Sequence, residues 1–262
     1  MKIENIVVMD FSGIYNQESF LKETVCRQKI DESKISLTWI DLKNLSGCNC
    51  YCDDDAQIAI REKISRFSPE GIHFIDSGNY HYISKLWLEK IEKPFRLLVF
   101  DNHTDMQPPA FGGILSCGGW IVASVEELQN LKEVVLVGPD EESYEQVEEH
   151  IKKCTRYLSR EALHEIEQNK SFFENIPTDL PLYISIDKDV LCKEDADTTW
   201  SQGDMKLKDL SEYLRNIIAL FRKEGQEILG IDICGECDAD KQAGTEKNKK
   251  ANEMLLDLLM FE

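Results

Sequence analysis

No apolar run in this chain approaches the roughly 20 residues needed to span a bilayer. The stretch Met1 to Gly13 lacks the long apolar segment and small-residue cleavage site of a secretory signal. Positive charge is scarce: 30 Lys and Arg stand against 49 Asp and Glu, a formal charge of −19. Such a surface repels phosphate backbones and anionic headgroups, which argues against nucleic acid and membrane as partners. No glycine loop for phosphate is present, since Gly244-Thr245-Glu246-Lys247 lacks the spacing. Repeats, low-complexity tracts and linkers are also missing. The nine cysteines are odd in number and irregular in spacing, so they read as reduced thiols rather than a disulfide framework. The expectation is a soluble, cytoplasmic protein, in which the sequon Asn102-His103-Thr104 carries no meaning.

What is present is a chain of 262 residues, 42% hydrophobic, enough for one sizeable core spanning 1–262. Short apolar segments alternate with amphipathic ones. Ile6 to Met9, Ile35 to Leu42, Ile72 to Ile75, Phe95 to Phe100, Val134 to Val137, Leu182 to Ile186 and Ile228 to Ile233 read as strands. Ala56 to Phe67, Ile83 to Ile91, Glu142 to Lys153, Arg160 to Gln168, Leu207 to Arg222 and Asn248 to Met260 read as helices, the first capped from Asp53, Asp54 or Asp55. Nearly continuous apolar strands between amphipathic helices predict an α/β fold in three layers, α/β/α, around a mainly parallel sheet. The polar loop Cys192 to Asp204 is either a lid or an excursion.

In open parallel sheets, sites gather at the carboxyl ends of strands. Three predicted strands end in chemistry-bearing segments: Asp101-Asn102-His103-Thr104-Asp105, Asp187-Lys188-Asp189, and Asp76-Ser77-Gly78-Asn79-Tyr80-His81. If these segments are extended, residues two apart point the same way. Asp101, His103 and Asp105 then share a face, as do Asp187 and Asp189. So many ionisable groups at one edge repel one another unless a cation lies between them. Carboxylates with imidazoles suit manganese, zinc or iron. One Asp-x-His at a strand end is usually turn chemistry; two such clusters and a third carrying His are harder to dismiss.

Asp101-Asn102-His103-Thr104-Asp105 resembles the Asp-Ala-His-x-Asp signature of arginases and agmatinases, and Ser185-Ile186-Asp187-Lys188-Asp189 resembles their Ser-x-Asp-x-Asp signature. Gly78-Asn79-Tyr80-His81-Tyr82-Ile83 is similar to a diverged Gly-Gly-Asp-His-Ser-Ile. The resemblance to this arginase, agmatinase and formiminoglutamase (ureohydrolase) family runs from about Ile72 to Glu236. It implies the arginase/deacetylase fold and two metals per chain, Mn2+ with Zn2+ or Fe2+ as alternatives. One metal would be held by His81, Asp101, Asp105 and Asp187, the other by Asp101, His103, Asp187 and Asp189. It further implies hydrolysis of a small-molecule guanidino, amidine or amide C–N bond by a metal-bridging hydroxide, and leaves a homo-oligomer open.

Departures from the family pattern bear on the substrate. Cys117, in Ser116-Cys117-Gly118-Gly119-Trp120, stands where the family's proton-shuttling His would stand. Its alternatives are a tuned acid–base or a small packed thiol. Glu236, in Asp232-Ile233-Cys234-Gly235-Glu236, is one position beyond the family's substrate-gripping Glu; its alternatives are a substrate contact reached through a kink at Gly235 and a surface carboxylate. The family's Asp-Pro is replaced by Val190-Leu191. Two rival readings follow: a mononuclear zinc deacylase using Asp101, His103 and Asp187, and a catalytically retired protein that binds metal or a ligand.

Other signals are weaker. Cys48, Cys50 and Cys52 would share one face of an extended segment and could hold a soft metal, but a fourth ligand is missing. Cys234-Gly235-Glu236-Cys237 follows a strand rather than opening a helix, which argues against redox activity. His73 reads as a core histidine, His150 and His164 as solvated surface, and Trp120 and Trp200 as either pocket walls or packing anchors.

Overall fold

The computed structural model of the protein describes residues 5–17, 35–109, 112–238, 240 and 242–261. Its strands are β1 (Asn5–Asp10), β2 (Ser36–Asp41), β3 (Tyr51–Cys52), β4 (Ile72–Ile75), β5 (Phe95–Phe100), β6 (Leu115–Ser116), β7 (Leu131–Val137), β8 (Thr155–Leu158), β9 (Leu182–Asp187) and β10 (Ile228–Cys234). Eight of them form one sheet in the order β2-β1-β4-β10-β9-β5-β7-β8, every neighbouring pair parallel. The remaining two, β3 and β6, form a short antiparallel ribbon.

Helices cover both faces, as parallel strands linked by crossovers require. On one face α1 (Asp54–Ile64), α2 (Ile83–Leu88), α3 (Trp120–Glu127), α4 (Glu141–Glu145) and α5 (Glu149–Lys152) follow in chain order. After α6 (Arg160–Leu163), the helices α7 (Ile166–Glu174), α8 (Leu207–Lys223) and α9 (Gln242–Phe261) contribute to the other. The strands split their side chains by period two. Ile6, Val8, Phe74, Leu98, Phe100, Ile184 and Ile186 meet α8 and α9 in one core. Val7, Met9, Ile75, Leu97, Val99 and Tyr183 meet α1, α2 and α3 in the other. Helix α8 shows why one face is buried: Leu207, Leu210, Leu214, Ile217, Ile218 and Phe221 recur at helical spacing and are all buried. Helix α1 starts where the aspartates predict, with the Asp53 carboxylate accepting from Ala56 N at 2.8 Å.

The three-layer α/β fold is as expected. Several elements differ in detail. The stretch Glu142 to Lys153 is two short helices rather than one, with Gln146, Val147 and Glu148 between α4 and α5. Strand β8 and the ribbon β3–β6 have no counterpart in the sequence reading; each is too short to show a period.

Candidate metal centre

The centre lies at the carboxyl edge of the four middle strands, β4, β10, β9 and β5. Their register sets it up: Cys234 pairs with Asp187, and Phe100 with Ile186, so Asp101 leaves β5 beside Asp187. Six side chains expected from the sequence come together there. His81 Nδ1 lies 3.2 Å from Asp101 Oδ2, 3.0 Å from Asp105 Oδ2 and 3.6 Å from Asp187 Oδ2. His103 Nδ1 lies 2.8 Å from Asp189 Oδ2 and 3.5 Å from Asp101 Oδ1. Among the described residues three donor sets have all ligand atoms within 4.8 Å of one another: His81, Asp101 and Asp105; Asp101, His103 and Asp189; and His81, Asp187 and Cys234. Asp101 belongs to the first two.

The side chains converge for a different reason than strand alternation. Beyond β5 the chain turns, and Asp105 takes a left-handed φ of 48°. Beyond β9, residues Lys188–Val190 form a 3-10 turn with Asp189 N bonded to Asp187 Oδ1 at 2.9 Å. Turns, not extended segments, aim these groups inward. Gly78 permits the close approach on the third side, since a Cβ there would sit 3.0 Å from Asp187 Oδ2 and 2.9 Å from the Trp200 ring.

Neighbours hold the ligand-type groups by their far sides. His81 Nε2 meets Ser185 Oγ at 2.9 Å, and His103 Nε2 meets Ser201 Oγ at 2.8 Å. With Nε2 of each ring engaged by a serine, Nδ1 is the atom turned toward the carboxylates. The Trp120 indole N–H donates to Asp105 Oδ2 at 2.7 Å. Ser185 appears in the Ser-x-Asp-x-Asp segment with no role attached to it, and Ser201 has no signal at all, because a hydroxyl that orients a ring has no spacing signature.

Electrostatics give the same picture of a site short of positive charge. Burial raises Asp101 and Asp187, reinforced by Asp105 and Asp189 respectively. Asp189 is pushed up to about 6 by burial and by Asp101. Burial alone would lower His103, but hydrogen bonds donated to the Asp101 and Asp189 carboxylates outweigh it and push the imidazole up to about 12. His81 is raised in the same way, against its burial, by the charges of Cys234 and the surrounding carboxylates. Protonated rings here do what a cation would do better. Two buried atoms in the cluster, His81 Nδ1 and Asp101 Oδ2, make no hydrogen bond among the described residues. Both face the space between the donors, so the residues fit a bound divalent cation.

A cavity of about 460 Å³ opens onto the cluster, lined by Asp101, His103, Asp105, Asp187, Asp189, Cys117 and Trp200 among others. The loop Cys192 to Asp204 is fastened rather than free: Gly203 N bonds Asp189 O at 2.7 Å, and Asn102 Nδ2 bonds Ser201 O at 3.0 Å. It brings Trp200, 43% exposed, to the cavity wall. Trp120 is fully buried. Cys117 lines the cavity, its thiol pushed up to about 12 by burial and by Asp105.

Glu236 does not reach the cavity, contrary to expectation. It is completely buried and paired with Lys188 Nζ, which also meets Asn252 Oδ1 at 2.9 Å. The kink at Gly235 exists, with φ at 87°, but it carries Glu236 behind β9 toward α9 instead. The alternation expected at the cysteine triplet is broken, since Cys50 has φ at 61°, and no donor group among the described residues includes Cys48, Cys50 or Cys52. His73 is a core residue, stacked on Trp87 at 3.8 Å with Nδ1 bonded to Asp232 Oδ1 and Tyr183 Oη.

A parallel sheet between helices, with imidazoles and carboxylates converging at its carboxyl edge, defines a three-layer α/β protein whose candidate metal centre sits at the strand ends. Residues 43–257 match the model of the Arginase family. The chain belongs to that family. An uncharacterized protein of Thermotoga maritima is 29% identical over 98% of this chain and 90% of its own length. Among solved structures, the agmatine ureohydrolase of Thermoplasma volcanium superposes with a TM-score of 0.69 at 13% identity, covering 99% of this chain and 89% of that one. Trypanosoma cruzi formiminoglutamase with Mn2+ superposes with a TM-score of 0.66 at 10% identity, covering 99% and 94%. The family's members hydrolyse C–N bonds and are metal-dependent. No helix among the described residues is long and apolar enough to cross a membrane.

Proposed function

We propose that this chain is a metal-dependent hydrolase of a small molecule, cleaving a guanidino, amidine or amide C–N bond at the centre described above. Asp101 carries the reading: one carboxylate serves two donor sets, and its Oδ2 and His81 Nδ1 are buried with no hydrogen bond among the described residues. His81, Asp101, Asp105 and Asp187 would hold one ion, and Asp101, His103, Asp187 and Asp189 the other. Two divalent cations held there supply Lewis acidity that makes water nucleophilic near neutral pH. Manganese suits so carboxylate-rich a set, and the formiminoglutamase with Mn2+ supports it.

The chain's own residues do the rest. Ser185 and Ser201 fix the two imidazoles, and Trp120 fixes Asp105. Cys117 keeps its proton through neutral pH and meets the substrate as a neutral thiol rather than as a base. Away from the ligand cluster the lining is uncharged, with Tyr51, Gln107, Ser116, Ser143, Gln146 and Trp200. Recognition there runs through neutral hydrogen bonds and ring contacts.

Elemental analysis of the reconstituted protein tests the assignment. About two metals per chain are expected in the parent, about one in Asp105→Ala and in Asp189→Ala, and none in Asp101→Ala. One zinc in the parent, unchanged in Asp105→Ala, would instead favour the mononuclear deacylase. A second reading, metal binding without turnover, is favoured by one observation: Glu236 is locked onto Lys188 and cannot grip a guanidinium. Turnover of any guanidino, amidine or acylamine compound, abolished in Asp187→Ala, would eliminate it.

A further inference from the structure

We infer that Cys234 is a metal ligand, its thiolate completing the donor set of the ion on the His81 side and tuning that site toward zinc or ferrous iron. The inference rests on the proposed metal centre and adds a residue that the family signatures quoted above do not contain. Cys234 ends β10 directly beside Asp187 in the parallel register. Its Sγ lies 3.0 Å from Asp187 Oδ2, and Sγ, the Asp187 carboxylate and the His81 ring offer donor atoms all within 4.8 Å of one another. Asp187 Oδ2 is in turn 3.6 Å from His81 Nδ1.

These separations suit one ion. Beside His81, Asp101, Asp105 and Asp187 the thiolate is a fifth donor, and five-coordination with bonds of about 2.0 Å to nitrogen and oxygen and about 2.3 Å to sulfur spaces neighbouring donors roughly 3–3.7 Å apart. A buried cysteine that only packs needs no such company, and the second observation is the buried His81 Nδ1, which has no hydrogen bond and faces the same space. The backbone forces the approach. Gly235 turns away at φ 87°, and a Cβ there would stand 2.3 Å from Asp187 Oδ1. The end of β10 is therefore pressed onto the ligand cluster, with the thiol as its leading atom.

Binding breaks the S–H bond and forms one metal–sulfur bond, the proton leaving to solvent; no electron is transferred. Sulfur is a soft donor, so the His81 side gains preference for zinc or ferrous iron over manganese. The other side, with Asp101, His103 and Asp189, keeps only oxygen and nitrogen donors.

Cobalt reconstitution, read by absorption and by elemental analysis, tests this. The parent protein is expected to show a near-ultraviolet sulfur-to-cobalt charge-transfer band that is lost in Cys234→Ala and retained in Cys117→Ser. Zinc affinity should fall at least about tenfold in Cys234→Ala, with a smaller change for manganese. Bound cobalt without the band, or a band that survives Cys234→Ala, overturns the inference and leaves the metal centre standing. Absence of bound metal in the parent overturns both. If Cys234→Ala fails to fold, Cys234→Ser answers instead: it retains the shape and should bind metal without the band.

Discussion

Lys188, Glu236 and Asn252 form a closed buried trio. Lys188 and Glu236 are fully buried, and each charge depends on the other for compensation. A buried ion pair is weak evidence for net stability, but breaking one leaves a charge with no solvent to turn to. Glu236→Ala is therefore expected to cost about 3–5 kcal/mol, read as a lowered urea midpoint. Replacing both partners together, Lys188→Met with Glu236→Leu, should cost far less. A comparable loss in the double variant would show that Glu236 matters for something other than balancing Lys188. The same trio explains the displaced glutamate: one extra residue, Gly235, moves the carboxylate from the cavity side of the edge to the side of α9.

Helices α1 and α2 are joined by a charged clasp. Arg61 grips Glu89 with Nε at 2.7 Å and Nη2 at 2.9 Å, and Lys85 Nζ reaches the same carboxylate at 2.7 Å. Burial would raise Glu89, but hydrogen bonds from Arg61 and Lys85 outweigh it and hold its carboxyl below the ordinary glutamate range. A group whose folded pKa is depressed stabilises above its unfolded pKa and ceases to do so as pH falls through the folded value. Glu89→Gln should thus lose about 1–3 kcal/mol at pH 7, measured by urea unfolding. The gap between parent and variant should close as pH drops below about 4. A gap independent of pH would mean that the clasp acts through packing and not through charge.

Across the whole molecule, a formal charge of −19 and four buried aspartates at one edge work against the compact state. Cations that bind only the folded chain should offset this. At a free metal concentration 100 times Kd the gain is about 2.7 kcal/mol per site. Chelator-treated protein is therefore expected to melt at a lower temperature, with Tm rising on manganese or zinc addition. Asp101→Ala should show no such rise, because it removes the donor common to both sets. A Tm indifferent to metal in the parent would count against the proposed centre.

The sequence by itself determined the layers and the edge. Apolar strands of four to seven residues between amphipathic helices such as α8 can bury their faces only in a covered parallel sheet. The Asp-His-Asp and Asp-Asp clusters follow directly on β5 and β9, so their place at the carboxyl edge was legible from local order alone. Tertiary structure decided what meets what at that edge. Whether Asp105 and Asp189 turn inward depends on a left-handed residue and a 3-10 turn, which spacing does not encode. Ser185 and Cys234 reach His81 from 104 and 153 residues away only through the strand order β4-β10-β9-β5, and Ser201 reaches His103 from 98 residues away on the loop fastened over that edge. Glu236 lies one residue past a glycine at φ 87°, where a Cβ would stand 2.3 Å from Asp187 Oδ1, so the turn that carries Glu236 away from the cavity depends on a packing that only the assembled edge reveals.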